Sequence, residues 1–336
     1  MSNTLIEKVN NRRLIEGPED RVMCISPLKH PWAMDAFKQF RKNDWYPESI
    51  AMGDDVNCYR NKLDDAERRM YDKGLAFLSN LDAFQFENLT TNISVHVTSP
   101  EVQMAFSRQA YEEANHVTAY SLMAEAVSGN PLDIYGMYES DPVLAAKNQL
   151  VLDQNDDLRG EFTPEKFALA IVSNICLEGI YFYSGFFAFY LLAKGGKMLK
   201  SADQIKYINR DEEAHLGFFI DMYHCLKQER PEIFTPEFYA KAQNIMRAAV
   251  GLETAWGKHI ISGGVLGATD TIVEQRIKWL ANKRAERLGW EPLYPGVTNP
   301  TPWVEKISAI NGVEVNFFEG KPTDYQTGGA LTFEDF

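Results

Sequence analysis

Cysteine is scarce: the 336 residues hold four, Cys24, Cys58, Cys176 and Cys225, and none forms a Cys-x-x-Cys pair. Such scatter argues against a disulfide framework or a thiolate zinc site and fits free thiols in a reducing cytoplasm. Positive charge is also in deficit. With 34 basic against 47 acidic residues, the chain has a formal charge of −13 and no basic cluster, so it lacks the footprint of a nucleic-acid partner. The opening stretch, MSNTLIEKVNNRRLIEG, has no long apolar core, so export is not expected. No strand-type alternation runs long enough to compete with the helical patterns.

Long apolar runs are nearly absent too, with one exception. Ala168 to Ala193, ALAIVSNICLEGIYFYSGFFAFYLLA, has 26 residues and a single charge, which by length and apolarity imitates a membrane span. It stands alone, however, and contains Glu178, Asn174 and several Gly and Ser residues. A central helix, apolar all round because protein surrounds it, explains the run better. Glu178 then lies inside a core, where an ionised carboxylate must be paired or metal-bound.

Helix starts are legible. Ser99-Pro100-Glu101, Thr163-Pro164-Glu165 and Thr235-Pro236-Glu237 each place a capping hydroxyl before a first-turn proline and an acid. Ser201-Ala202-Asp203-Gln204 has the form of a capping box, and Asp64 with Glu67 offers a weaker one. Stops fall at Gly129, Gly195-Gly196, Pro231, Gly263-Gly264 and Gly289. These signals predict long helices over 64–97, 100–128, 163–194, 201–229, 236–262 and 270–288, with shorter pieces near 31–42 and 131–154. The expected class is all-α, a long-helix bundle. Its parts are an N-terminal arm over 1–30, the helical domain over 31–290, a C-terminal extension over 291–319 and a flexible tail over 320–336. The tail, KPTDYQTGGALTFEDF, has no periodic pattern.

Two stretches, EEANHVTAY from Glu112 and NRDEEAH ending at His215, each contain Glu-x-x-His. Residues three apart share a helix face, so Glu113 faces with His116 and Glu212 with His215. Glu112 and Glu213 are one residue out of register and are expected to face elsewhere. One such pair is usually a salt bridge. Two on separate long helices match the dinuclear metal sites of helix bundles, which add one carboxylate from each of two further helices. Glu178 is one such acid. Asp82 is the other, beside an inner face marked by Leu75, Leu78, Leu81 and Phe86, with Glu87 as its rival. Asp82, Glu113, Glu178 and Glu212 bring four negative charges against the four positive charges of two divalent ions. Oxygen-rich ligands with two imidazoles suit iron or manganese better than zinc or calcium. Tyr120, four positions after His116, lies on the same face about one turn away, where an oxidising metal pair makes it a candidate for one-electron oxidation.

The stretches EANHVTAYSL, LEGIYFYSGFF, RDEEAH, FLSNLDAF and NPTPWVEK together resemble the small, radical-generating subunit of class I ribonucleotide reductase, over about residues 30 to 310. The resemblance implies a ferritin-like fold, a homodimer, and two iron or manganese ions per chain held by Asp82, Glu113, His116, Glu178, Glu212 and His215. It favours Asp82 over Glu87 through the 31-residue interval to Glu113. It further implies activation by molecular oxygen, or by a reduced form of it delivered by an activating protein, and a radical on Tyr120 shielded by Phe182, Phe186 and Ile208. The oxidising equivalent is expected to leave through Trp45, with Asp211 linking that indole to His116, and to end at Tyr325, the one tyrosine after Tyr294. The terminus LTFEDF resembles the family's docking peptide for the large subunit. A rival on the same scaffold is an oxidase of a bound lipid or hydrocarbon, which needs a ligand tunnel and no docking tail. A ferritin-like metal store would leave Tyr120, Trp45 and the tail without a role.

Overall fold

The computed structural model describes residues 4–18, 22–23, 25–156 and 158–310. Tyr325 and the LTFEDF terminus lie outside these residues. Among the described residues the regular structure is helical, joined by turns and irregular connections, with one isolated bridge between Ile15 and Val97. In order the main helices are α1 (Leu5–Asn10), α2 (Pro31–Lys42), α3 (Gly53–Asn61), α4 (Asp65–Asn88), α5 (Pro100–Val127), α6 (Pro142–Asp156), α7 (Pro164–Lys194), α8 (Leu199–Glu229), α9 (Pro236–Ile260) and α10 (Asp270–Arg287).

Ser99, Thr163 and Thr235 each accept a hydrogen bond from the backbone N–H three residues on, so the three predicted caps hold. Asp64 and Glu67 form a complete capping box at the start of α4. Ser201 is a correction: it lies inside α8, which begins at Leu199 after a left-handed Met198. The orphan donors there go to Asp55 of α3 instead, whose carboxylate accepts from the Lys200 and Ser201 N–H groups at 3.1 and 2.6 Å. A carboxylate at a helix N-terminus also meets the positive end of its dipole.

α4, α5, α7 and α8 pack against one another, with α2 laid over α5 and α8, and with α9 and α10 closing the far side of α7. Leu75, Leu78 and Leu81 face this core, whereas Phe86, expected beside them, is 41% exposed. α7 is buried from Ile171 to Leu192, so protein and not lipid surrounds its apolar core. It is not a continuous α-helix, as the sequence suggested: Leu177–Tyr181 form a π turn, and a second one, Leu89–Ile93, follows α4.

Candidate metal centre

Asp82 from α4, Glu113 and His116 from α5, Glu178 from the π turn of α7, and Glu212 and His215 from α8 are all fully buried. They converge as two overlapping groups, Asp82, Glu113, His116 and Glu212 in one and Glu113, Glu178, Glu212 and His215 in the other, with donor atoms within 4.8 Å of one another in each. Glu113 and Glu212 belong to both. His116 Nδ1 lies 3.0 Å from Glu212 Oε1, 3.4 Å from Asp82 Oδ2 and 3.5 Å from Glu113 Oε2. His215 Nδ1 lies 3.0 Å from Glu212 Oε2, 3.3 Å from Glu113 Oε1 and 3.9 Å from Glu178 Oε2. Both imidazoles thus aim Nδ1 inward.

The atoms left without hydrogen-bond partners are the inward ones: both oxygens of Asp82, Glu113 Oε2, His116 Nδ1, Glu178 Oε2 and Glu212 Oε1. Buried polar atoms are almost always satisfied, and each exception needs a reason. Two cations between these donors supply it, so the residues fit a dinuclear metal group.

Electrostatics agree. Burial pushes the Asp82 and Glu178 carboxyls well above the usual range, reinforced by the charges of Glu212 and Glu113. Burial opposes charge on His116 and His215, yet the surrounding carboxylates carry both well above the ordinary imidazole range. Protons therefore stand in for positive charge among these donors, and metal binding would displace them.

Outer contacts orient the donors. His116 Nε2 lies 3.3 Å from Asp211 Oδ2, and that oxygen also accepts from Trp45 Nε1 at 2.7 Å. Arg210 holds the other Asp211 oxygen at 2.8 Å. The expected trio of Trp45, Asp211 and His116 is thus one hydrogen-bonded chain, and Tyr207 stacks on Trp45 with ring centroids 5.1 Å apart. Glu112 corrects the reading of its register: it does not face away, because its Oε2 lies 2.8 Å from His215 Nε2. The two sites therefore match, each with an acid on the far nitrogen of its imidazole. Glu213 does point elsewhere, to Tyr183 and Arg284. Glu87 pairs with Arg159 on the surface and is no ligand.

Sequence reasoning also missed the amides. Gln85 and Gln109 both donate to Glu178 Oε1, at 2.5 and 2.8 Å, which leaves Oε2 for a metal. Asn174 and Asn88 extend this network behind Gln85. Gln109 precedes Glu113 by one helical turn, a same-face spacing that was there to be read.

Tyr120 is fully buried and its hydroxyl has no hydrogen-bond partner. Burial, then the charges of Asp82, Glu212 and Glu113, push this phenol well above its ordinary pKa. Phe182, Phe186 and Ile208 are buried in the same apolar core, the two phenylalanines stacked with centroids 5.6 Å apart.

Four long helices around a buried carboxylate and histidine cluster place the molecule among ferritin-like bundle proteins. A family model described as ribonucleotide reductase, small chain, matches residues 22–300. The ribonucleoside-diphosphate reductase subunit beta of Treponema pallidum is 35% identical over 333 residues, covering 96% of this chain and 93% of that one. The subunit of the same name from Chlamydia pneumoniae is 30% identical, covering 97% of this chain and 96% of that one. Among solved structures, the ribonucleotide reductase R2 subunit from Clostridium botulinum aligns with a TM-score of 0.86 at 34% identity, over 89% of this chain and 94% of that one. The dimanganese(II)-NrdF of Streptococcus sanguinis, at 20% identity and a TM-score of 0.75 over 86% of this chain and 99% of that one, shares the fold. The chain belongs to the ribonucleotide reductase small-chain family.

Proposed function

We propose that this chain is the radical-generating small subunit of a class I ribonucleoside-diphosphate reductase, an oxidoreductase complete only with its large subunit. Asp82, Glu113, His116, Glu178, Glu212 and His215 would hold two ions of iron or manganese, with Glu113 and Glu212 shared. When bound, the ions supply one-electron oxidising power drawn from oxygen or a reduced form of it. Everything else falls to the chain's own groups.

Tyr120 would give up one electron to that oxidant and its phenolic proton toward Asp82, the acid whose charge acts most strongly on that phenol. Its complete burial among apolar side chains keeps reductants and water away from the oxidised ring. Trp45, Asp211 and His116 form the exit, in which Asp211 accepts from the indole N–H and can hold its proton as the electron moves. Tyr325 and LTFEDF carry the route and the docking to the large subunit, where the ribonucleotide is reduced. The working unit is a homodimer in the cytoplasm.

The observation that carries this reading is the pair of overlapping buried donor groups, with inward atoms that lack hydrogen-bond partners. The lipid-oxidase alternative would need a cavity that reaches the donors; the open cavity of about 690 Å³ against the N-terminal arm, lined by Arg12, Lys29, His30 and Glu229, includes none of the six. Reconstitution with Fe(II) or Mn(II) and oxidation should give a tyrosyl radical by electron paramagnetic resonance. Tyr120→Phe should lose that signal and keep its metals; a tyrosyl signal surviving the substitution would move the radical elsewhere.

A further inference from the structure

Lys147 of α6, Glu253 of α9 and Arg284 of α10 are buried charges on helices that give nothing to the metal cages. Each nevertheless bonds to the backbone of one short stretch of α7. Arg284 Nε donates to the Gly179 carbonyl at 3.1 Å, and Lys147 Nζ donates to the Tyr181 carbonyl at 3.3 Å. The Ser184 N–H donates to Glu253 Oε1 at 2.7 Å. Lys147 and Glu253 also pair with each other.

Gly179 and Tyr181 lie within the π turn that carries Glu178, and Ser184 lies three residues beyond its end. A π turn holds one more residue than an α turn, and its junctions with regular helix leave backbone groups for other partners. The extra residue has a geometric effect. On an unbroken α-helix, Glu178, Phe182 and Phe186 would share a face. One inserted residue rotates the later turns of the helix by about 100° relative to the earlier ones. The π turn therefore sets the angle between the metal donor and the two phenylalanines.

Stability alone does not account for the pair. Burial lowers the Lys147 amine to about 8 and raises the Glu253 carboxyl, so each is drawn toward its neutral form despite its partner. Apolar residues of similar volume are commonly as stable or more so in such a place. Apolar residues could not, however, satisfy the Tyr181 carbonyl and the Ser184 N–H. Gly179 completes the arrangement: a Cβ there would meet Arg284 Nε at 3.0 Å and Leu216 Cδ1 at 3.1 Å.

We propose that Lys147, Glu253 and Arg284 are positioning residues that hold the π turn of α7 in register and so aim Glu178 into the cage it shares with His215. This rests on the two-metal reading above.

The test is anaerobic titration of metal-free full-length protein with Mn(II), together with hydrogen exchange over residues 177–187 and thermal melting. Two variants without buried charge at these positions are compared, Lys147→Met/Glu253→Met and Lys147→Met/Glu253→Gln. The Met/Met variant should bind one ion as the wild type does and the other about 10- to 100-fold more weakly, with faster exchange at the turn. The Met/Gln variant, whose amide oxygen can still accept from Ser184, should recover most of that loss. Two unchanged affinities in Met/Met, or an equal loss in both variants, would overturn the proposal. Should Met/Met fail to fold, Gly179→Ala displaces Arg284 and must weaken the same ion selectively; unchanged binding there overturns it. Wild-type protein that takes fewer than two ions would overturn the metal reading, and this inference with it.

Discussion

Glu113 and Glu212 take part in both cages, and this sharing gives them a different weight from Asp82 or Glu178. The outer acids act through the imidazoles. Glu112 fixes His215 from its far nitrogen, so Glu112→Leu should weaken metal binding about 10- to 100-fold, measured by competition with a chelator; unaltered affinity would show that the contact is idle. Asp211 serves both Trp45 and His116. Asp211→Asn keeps an acceptor for the indole but cannot take its proton, so turnover with the large subunit should fall by about 10² or more while the Tyr120 radical still forms in the isolated subunit. Loss of the radical as well would assign Asp211 to metal binding instead. The Glu-x-x-His pairs and the isolated Glu178 were legible because acids are conspicuous in apolar surroundings. Glu112 was not, since helical phase within α5 says nothing of a partner reaching across from α8.

Helix boundaries were legible wherever the cap was local, as at Ser99, Thr163 and Thr235. The start of α8 was misplaced because its cap comes from Asp55, 146 residues earlier in the chain. The π turn of α7 left no trace in the sequence: a helix apolar on every side has no polar face to reveal a shift in phase. α2 is anchored by a charge cluster of its own. His30 lies 3.0 Å from Glu229 and bonds to Ser99 at 2.8 Å, with Glu101 at 3.9 Å. Burial opposes its charge, but Cys225, Glu101 and Glu229 raise His30 from an ordinary 6.5 to about 11. A raised pKa contributes stability that is complete below the unfolded value and fades as pH rises toward the folded one. The stability difference between wild type and His30→Phe, from urea unfolding, should therefore shrink by ~1–3 kcal/mol between about pH 6 and about pH 9.5. A constant or widening difference would contradict the charged state. α9 packs closely on both α10 and α7 at Gly257, where a Cβ would lie 2.5 Å from Val273 and 2.6 Å from Ser184. Gly257→Ala should destabilise the fold by about 1–3 kcal/mol, read as a lower Tm, and an unchanged Tm would mean that the helices part at no cost.

The assembled bundle brings six donors from four helices to one point, and the proposed exit from His116 through Asp211 to Trp45 would carry charge toward the large subunit. The docking role of the C-terminus rests on the LTFEDF resemblance. Removing residues 327–336 should abolish binding to the large subunit and leave the radical intact; undiminished binding would place the contact elsewhere. The two-cage arrangement itself is tested most directly by counting ions on metal-free protein titrated with Mn(II). Wild type should take two per chain, Asp82→Ala should retain the ion on the His215 side, and Glu212→Ala should lose tight binding of both. A single ion or a large excess in the wild type, or Glu212→Ala still holding two ions tightly, would contradict the account.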